Sequence, residues 1–421
     1  MSYIVVGNSA AGLFAVEEIR KHDTQSEIIV LTAEKEQSYS RCLTTYFLAG
    51  DIPASRLYLR DIDFAERLNL TVVYGVEVNG IDPTRQLVQC TDGREWNYSK
   101  LLLAMGASAN KLTIPGANLP EVFTLRTMKD ALAINAVLEQ GAQKGVVLGG
   151  GLVSLKSAYA LRKRGLDVTV LISSGQLLSQ MLGKRAGDLI QGHLSAHGLR
   201  FRLQTEASTI TGTGHVQGVL IANLTELRAD IVIVGKGVRP NIGNLRDVGF
   251  NIGQGVQVDS SLATSIPNIY AAGDIAETWD LVRQKFTVNA TWPNATTQGR
   301  IAGANMCGGH EVYPGSLGLN SVDFFGLSAM SVRITMLPEN KGQGDWEQEE
   351  SQKMAGDMPI YRSLIWQGDI LKGFVLVGNT SQCGVLTALV KAGRPLTQAQ
   401  KNLTMGKRGT LVVGMMNLSS L

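Results

Sequence analysis

The 421-residue chain is poor in the residues that build metal centres and disulfide frameworks. It has four cysteines, Cys42, Cys90, Cys307 and Cys383, far apart and without a CxxC pair. That spacing argues against zinc ribbons, cysteine-ligated iron–sulfur clusters and a thioredoxin-type dithiol. Histidine is scarce too, at five, and only His193 and His197 stand close. Their i, i+4 spacing with no zincin-type acid between them reads as one face of an ordinary helix, so no metal site is expected. The formal net charge of +3 is small for this length, which gives no support to a nucleic-acid or membrane partner. The apolar run at residues 411–416 is too short to span a bilayer. No basic leader precedes the first strand, so no signal peptide is expected. A cytoplasmic protein with reduced thiols is the expectation.

What the chain has in quantity is glycine, 47 residues, much of it beside apolar runs. Its length calls for two or three domains. Tyr3-Ile4-Val5-Val6 reads as a short buried strand, followed by Gly7-Asn8-Ser9-Ala10-Ala11-Gly12 and a helical pattern over residues 13–20. A β-rich run at residues 27–31 ends near Glu34. This is the order of a dinucleotide-binding βαβ unit: glycine for the turn, a helix N-terminus for a pyrophosphate, an acid for ribose hydroxyls. Ser9 replaces the middle glycine and is small enough to let phosphates approach.

A second unit of the same kind starts 142 positions later. A strand at residues 145–148 leads into Gly149-Gly150-Gly151-Leu152-Val153-Ser154, a helical run to Arg164 and a strand at residues 168–172. Ser154 stands at the third glycine position. The second strand ends in Ser173-Ser174, with no acid for a ribose 2′-hydroxyl and no arginine immediately after it for a 2′-phosphate, so NAD and NADP are not separated.

Two further segments join the first unit: residues 101–107 (LLLAMGA), ending near Gly106, and residues 265–274 (SIPNIYAAGD), ending in Gly273-Asp274. Together, in this order, they resemble the three FAD-binding motifs of the pyridine-nucleotide–disulfide oxidoreductase superfamily. The resemblance implies that FAD lies on Gly7, Ser9, Ala10, Ala11, Gly12 and Glu34, that Gly106 passes the adenosine half, and that Asp274 holds the ribityl chain. It assigns NAD(P)H to the second unit, with Gly149, Gly151, Ser154 and Ser173. Lys156 stands where the family often has a glutamate near the nicotinamide. A cation there would stabilise negative charge on reduced flavin; a solvated surface lysine is the alternative. Trp292-Pro293-Asn294-Ala295 is also family-like, with a helix from about Ala295 aiming its positive end at the flavin.

The implied fold is α/β, with two Rossmann-like dinucleotide-binding domains, the second inserted in the first, and a C-terminal α/β dimerisation-type domain. The FAD domain would span 1–110 and 240–313, the NAD(P) domain 111–239, and the C-terminal domain 314–421. Arg239-Pro240-Asn241 resembles the return crossing. In the last part, strands are expected at residues 330–335, 361–366 and 371–378, a helix from about Gly384, and a solvated acidic loop at residues 345–350.

Residues 38–50 (SYSRCLTTYFLAG) resemble two branches of the family. Tyr39-Ser40-Arg41 with Tyr46-Phe47-Leu48-Ala49-Gly50 is similar to rubredoxin-reductase and nitrite-reductase flavoproteins, which adds Arg41 to the flavin-binding set. Cys42 aligns instead with the redox cysteine of NADH oxidases, NADH peroxidases and coenzyme A–disulfide reductases, where a thiolate attacks a disulfide or cycles through a sulfenic acid. A small buried thiol is the alternative reading of Cys42. The expected activity is NAD(P)H oxidation through FAD to an iron–sulfur protein or rubredoxin, in a chain that forms a homodimer. A Cys42-dependent oxidase, peroxidase or disulfide reductase stays open, as does a flavoprotein subunit or scaffold without nicotinamide binding.

Overall fold

A computed structural model describes residues 1–222, 225–337 and 344–406; the apolar run at 411–416 falls outside them. The chain divides into two compact units. One comprises residues 1–113, 123–142 and 236–316, the other residues 114–122, 143–235 and 317–421.

The first unit is built on a five-stranded parallel sheet. Its central strand Ser2–Val6 lies between Glu27–Thr32 and Lys100–Leu103, with Leu70–Tyr74 and Ile269–Ala271 at the edges. Ile4, Val5, Ile28, Leu101 and Ile269 are fully buried, as expected for a parallel sheet covered on both faces. Each such side chain contributes about 1.5–3 kcal/mol by leaving water. The Ala10–His22 helix packs on the Trp292–Met306 helix, and glycine permits the contact. A Cβ at Gly299 would lie 2.2 Å from the Ala11 carbonyl oxygen, and one at Gly303 2.6 Å from that of Ala15. The Met128–Glu139 helix, capped by a Thr127–Asp130 capping box, belongs to this unit as well.

The second unit repeats the βαβ plan. Strands Arg200–Leu203, Asp167–Ile172, Lys144–Leu148 and Ile231–Val234 run parallel in that order, with the Leu152–Lys163 helix packed on them. Val146, Val147, Val170 and Ile233 fill its core. The last third adds an antiparallel sheet in the order Leu319–Phe324, Leu327–Arg333, Ile370–Val377, Met358–Gln367 and Trp346–Ala355. Phe324, Leu364, Trp366 and Phe374 are buried in it.

Three expectations are revised. The acidic stretch is not a loop: Glu347, Glu349 and Glu350 lie on the Trp346–Ala355 edge strand, paired through all ten residues with Met358–Gln367. Backbone hydrogen bonds hold that strand while most of its side chains stay in water, and charge on an edge discourages pairing with another chain. The helix expected from Ala295 begins three residues earlier, at Trp292, with Pro293 in its first turn, where a missing N–H costs nothing. Lys156 is not a solvated surface lysine; it is 7% exposed.

Candidate cofactor and active site

The first glycine turn is shaped by close backbone approach. Gly7 has φ +114°, and a Cβ there would sit 2.2 Å from the Ala104 carbonyl oxygen. A Cβ at Gly12 would sit 1.9 Å from the Gly7 carbonyl oxygen. Only glycine lets strand, turn and helix meet so tightly. Ser9 is the N-cap residue of the Ala10–His22 helix and makes no side-chain capping bond.

Above this turn, within the first unit, opens a cavity of about 1050 Å³, just above the ~300–1,000 Å³ usual for small-molecule sites. Gly7, Ser9, Ala10, Ala11, Glu34, Arg41, Cys42, Gly106, Asp274, Trp292 and Ala295 all line it. Of the residues expected in the first site only Gly12 does not line it, being spent on packing against Gly7. The N-terminal ends of two long helices, at Ala10 and at Trp292, therefore face one cavity, and both favour negative charge there.

A part-buried network holds the Glu34 carboxylate in the wall. Tyr39 Oη donates to Glu34 Oε2 at 2.6 Å, and Arg41 pairs with the other carboxylate oxygen. Arg41 also donates to the Arg126 carbonyl oxygen at 2.7 Å, and the Met128 N–H donates to Tyr39 Oη at 2.8 Å. Burial pushes the Tyr39 hydroxyl well above the usual tyrosine range; Arg41 opposes this and the bond to Glu34 reinforces it. Tyr39 thus stays a neutral donor.

Arg126, which no sequence pattern marks, supplies the other anchor. Its guanidinium pairs with Asp274 Oδ2 at 2.7 Å and donates to the Ala107 carbonyl oxygen at 3.0 Å. Arg126 and Asp274 are 148 positions apart, so no local motif could have joined them. Asp274 follows Gly273, whose φ is +82° and whose N–H donates to Gln298 Oε1 at 2.7 Å. Gly106, with φ +65°, accepts from the Asn241 N–H at 3.0 Å, next to the antiparallel pair of Ala107–Ala109 and Val238–Pro240. Thr291 Oγ1, at the start of the second helix, is buried without a protein partner and lines the cavity. An orphan hydroxyl there costs free energy unless a ligand meets it.

Cys42 stands in a single turn of 3-10 helix, Arg41–Leu43, with its side chain open to the cavity. The protein around that opening still desolvates the sulfur, which pushes the thiol up; the Asp274 carboxylate adds to this and the Arg126 guanidinium opposes it. A thiol in that state is protonated at neutral pH, and the thiolate is the reactive form.

In the second unit, Gly149 has φ +122°, and a Cβ there would lie 2.4 Å from the Gly235 carbonyl oxygen. Ser154 is fully buried and its hydroxyl donates to that same oxygen at 3.0 Å. A Cβ at Gly151 would meet nothing within 4 Å, so the protein itself does not require glycine there. Ser173 is exposed just after the Asp167–Ile172 strand. Lys156 donates to the Asp323 carbonyl oxygen at 3.1 Å and lies 4.4 Å from the Tyr159 ring centroid, so its ammonium is engaged by neighbours in its own unit. Among the described residues no His, Cys, Asp and Glu side chains cluster to hold a metal ion, and no helix is long and apolar enough to cross a membrane.

Comparison with known proteins adds the family context. The family described as pyridine nucleotide-disulphide oxidoreductase matches residues 1–299. An NADH oxidase of Methanocaldococcus jannaschii is 33% identical over 354 residues, covering 80% of this chain and 79% of that protein. A rubredoxin-NAD(+) reductase of Ectopseudomonas oleovorans is 32% identical over 314 residues, covering 73% and 80%. Among solved structures, an NAD-dependent persulfide reductase from A. fulgidus superposes with a TM-score of 0.87 at 29% identity, covering 94% of this chain and 77% of that one.

Proposed function

Because this chain belongs to the pyridine nucleotide-disulphide oxidoreductase family and is an NAD(P)H-dependent oxidoreductase, we propose that it carries FAD in its first unit and passes electrons to a small iron–sulfur or rubredoxin-type carrier. The observation that carries the reading is the single cavity onto which two helix N-termini, the Glu34 network and the Arg126–Asp274 pair all open. Its donors and acceptors fit a long ligand with an anionic middle: amide N–H groups at the Gly7 turn, carboxylates at Glu34 and Asp274, and an orphan hydroxyl at Thr291.

When bound, FAD supplies two-electron uptake from NAD(P)H and one-electron release to the carrier. The chain's own work is to bind and orient. The Gly7–Gly12 turn and the amino end of the Ala10–His22 helix would take the pyrophosphate, with Gly106 beside the adenosine half. Glu34, held by Tyr39 and Arg41, would accept from ribose hydroxyls. Asp274, held by Arg126, would accept from the ribityl chain. Trp292 and Ala295 would set the amino end of the second helix against the pyrimidine edge, where it favours negative charge. The Gly149 turn, closed by the Ser154 bond to Gly235, would receive the nicotinamide nucleotide with Gly151 and Ser173. Lys156, engaged on Asp323 and Tyr159, would fix its helix to the C-terminal sheet rather than act at the flavin. The proposed domains are an FAD domain over 1–110 and 240–313, an NAD(P) domain over 111–239 from which residues 123–142, with Arg126, pass to the FAD unit, and a C-terminal domain over 314–421 that would mediate a homodimer of a cytoplasmic protein.

Cys42 supports a second reading, because it opens onto the same cavity: reduction of a disulfide, polysulfide or peroxide. The raised thiol weighs against it. Substitution separates the two. Cys42→Ser should leave NADH-driven reduction of a rubredoxin within about twofold of the parent, and loss of that activity would move the function to the thiol. Disulfide reduction present in the parent and lost in Cys42→Ser would point the same way.

A further inference from the structure

The hairpin of strands Ala276–Asp280 and Lys285–Thr287 carries an unusual surface for its size. Trp279 and Phe286 stand directly opposite each other in register. Both are largely exposed, at 43% and 45%, with ring centroids 5.7 Å apart at 76°. Single exposed aromatics are ordinary on a protein surface, but an edge-to-face pair on one hairpin is a ready-made anchor of the kind that dominates binding energy at interfaces.

The exposed charge that the hairpin itself carries has one sign. Arg283 at the turn and Lys285 on the strand are exposed. The hairpin's two acids are turned inward: Asp280 is 0% exposed and accepts from the N–H groups of Val282 and Arg283, and Glu277 is 5% exposed and accepts from Gly255 N–H. Lys285 lies opposite Asp280 in register, but that carboxylate is withdrawn from the surface.

The hairpin also touches the wall of the cofactor cavity. Thr287, next to Phe286, donates through Oγ1 to Gln254 Oε1 at 3.2 Å. Gln254 lines the cavity, as do Ala290, Thr291 and Trp292, which follow the hairpin in the chain.

We propose that Trp279, Phe286, Arg283 and Lys285 form the docking surface for an acidic one-electron carrier protein. The proposal rests on the carrier reading above and assigns it a place. The aromatic pair supplies the desolvated centre, and the two cations steer carboxylates around the carrier's redox centre. The hairpin that carries the surface bonds to the cavity wall through Thr287 and leads in the chain to the start of the second helix, so a carrier held on it would dock on an element joined to the cavity that holds the electron source.

The test uses the purified holoprotein and a bacterial rubredoxin as probe. Three quantities are read: rubredoxin reduction kinetics with NADH, the rubredoxin Kd by calorimetry, and the anaerobic rate at which NADH bleaches the bound flavin. Trp279→Ser/Phe286→Ser should raise Kd and lower kcat/KM for rubredoxin by roughly tenfold or more, leaving bleaching unchanged. Arg283→Glu/Lys285→Glu, which keeps the aromatic pair, should give a similar loss at low salt that shrinks as salt rises. If the parent reduces rubredoxin and both double variants match it within about twofold, the surface is overturned and the carrier reading stands. If the parent is bleached by NADH but passes no electrons to rubredoxin, the carrier reading fails and the surface falls with it. A parent dimer that dissociates in Trp279→Ser/Phe286→Ser would give the patch to a second copy of the chain and likewise overturn the proposal.

Discussion

The two glycine turns begin with the same steric problem and diverge in how they close. In each, a left-handed glycine passes beneath a neighbouring carbonyl oxygen: a Cβ would come within 2.2 Å of Ala104 O at Gly7, and within 2.4 Å of Gly235 O at Gly149. They part at the sixth residue. Gly12 has no room for a side chain, because its Cβ would lie 1.9 Å from Gly7 O. Ser154 has room, and its hydroxyl stitches the turn to the Gly235 oxygen. The first turn is locked by the absence of side chains, the second by a hydrogen bond. A departure from the glycine pattern at Ser154 therefore has a structural cause inside the protein and says little against a nucleotide above it.

This contrast can be broken at its tightest point. Gly12→Ala should be the most damaging change, since the methyl group can be accommodated only by separating helix and turn. We expect a loss of about 3 kcal/mol or more, seen as a lower midpoint of chemical unfolding, and purified protein without flavin absorbance. A yellow, stable Gly12→Ala protein would show that the first turn is not locked as described.

Asp274→Ala should come next. It removes a cavity acceptor and leaves the part-buried Arg126 guanidinium without its carboxylate, a situation costly in itself. The flavin Kd should rise by about 10–100-fold, measured by equilibrium dialysis. The pair is a unit, so Arg126→Ala should show much of the same loss.

Ser154→Gly sharpens the comparison from the other side. It deletes one hydrogen bond at about 1 kcal/mol and makes the second turn resemble the first. Stability should fall slightly, flavin content should not change, and the nicotinamide Kd should stay within about threefold. The smallest effect concerns Cys42. Because desolvation by the surrounding protein and the Asp274 carboxylate raise its thiol, its thiolate fraction at neutral pH is below that of a free cysteine. Alkylation by iodoacetamide should be slow at pH 7 and should still be accelerating where a model thiol has levelled off.

Much of the first site was legible because backbone close approach and helix-end chemistry write themselves into short segments. Gly7, Glu34, Gly106 and Asp274 each sit beside a strand end, and the structure brings all four to one cavity. Arg126 was not legible, since its partner Asp274 lies 148 positions away. Glu34 and Arg41 were named from the sequence, but their joining through Tyr39 was not, because no spacing rule links residues five and seven apart in a loop. The early start of the Trp292–Met306 helix had a signal in Pro293. The acidic strand had none. Its charged side chains face water, and only backbone pairing makes Trp346–Ala355 a strand. Lys156 shows the same limit, because the Asp323 carbonyl that engages it is 167 positions away.

The central claim is that the first turn holds a flavin that the second turn's nucleotide can reduce. Anaerobic titration of the purified yellow protein with NADH and with NADPH tests it most directly. At least one of them should bleach the flavin absorbance to completion, at close to one equivalent per bound flavin. A flavin that neither nucleotide bleaches would contradict it.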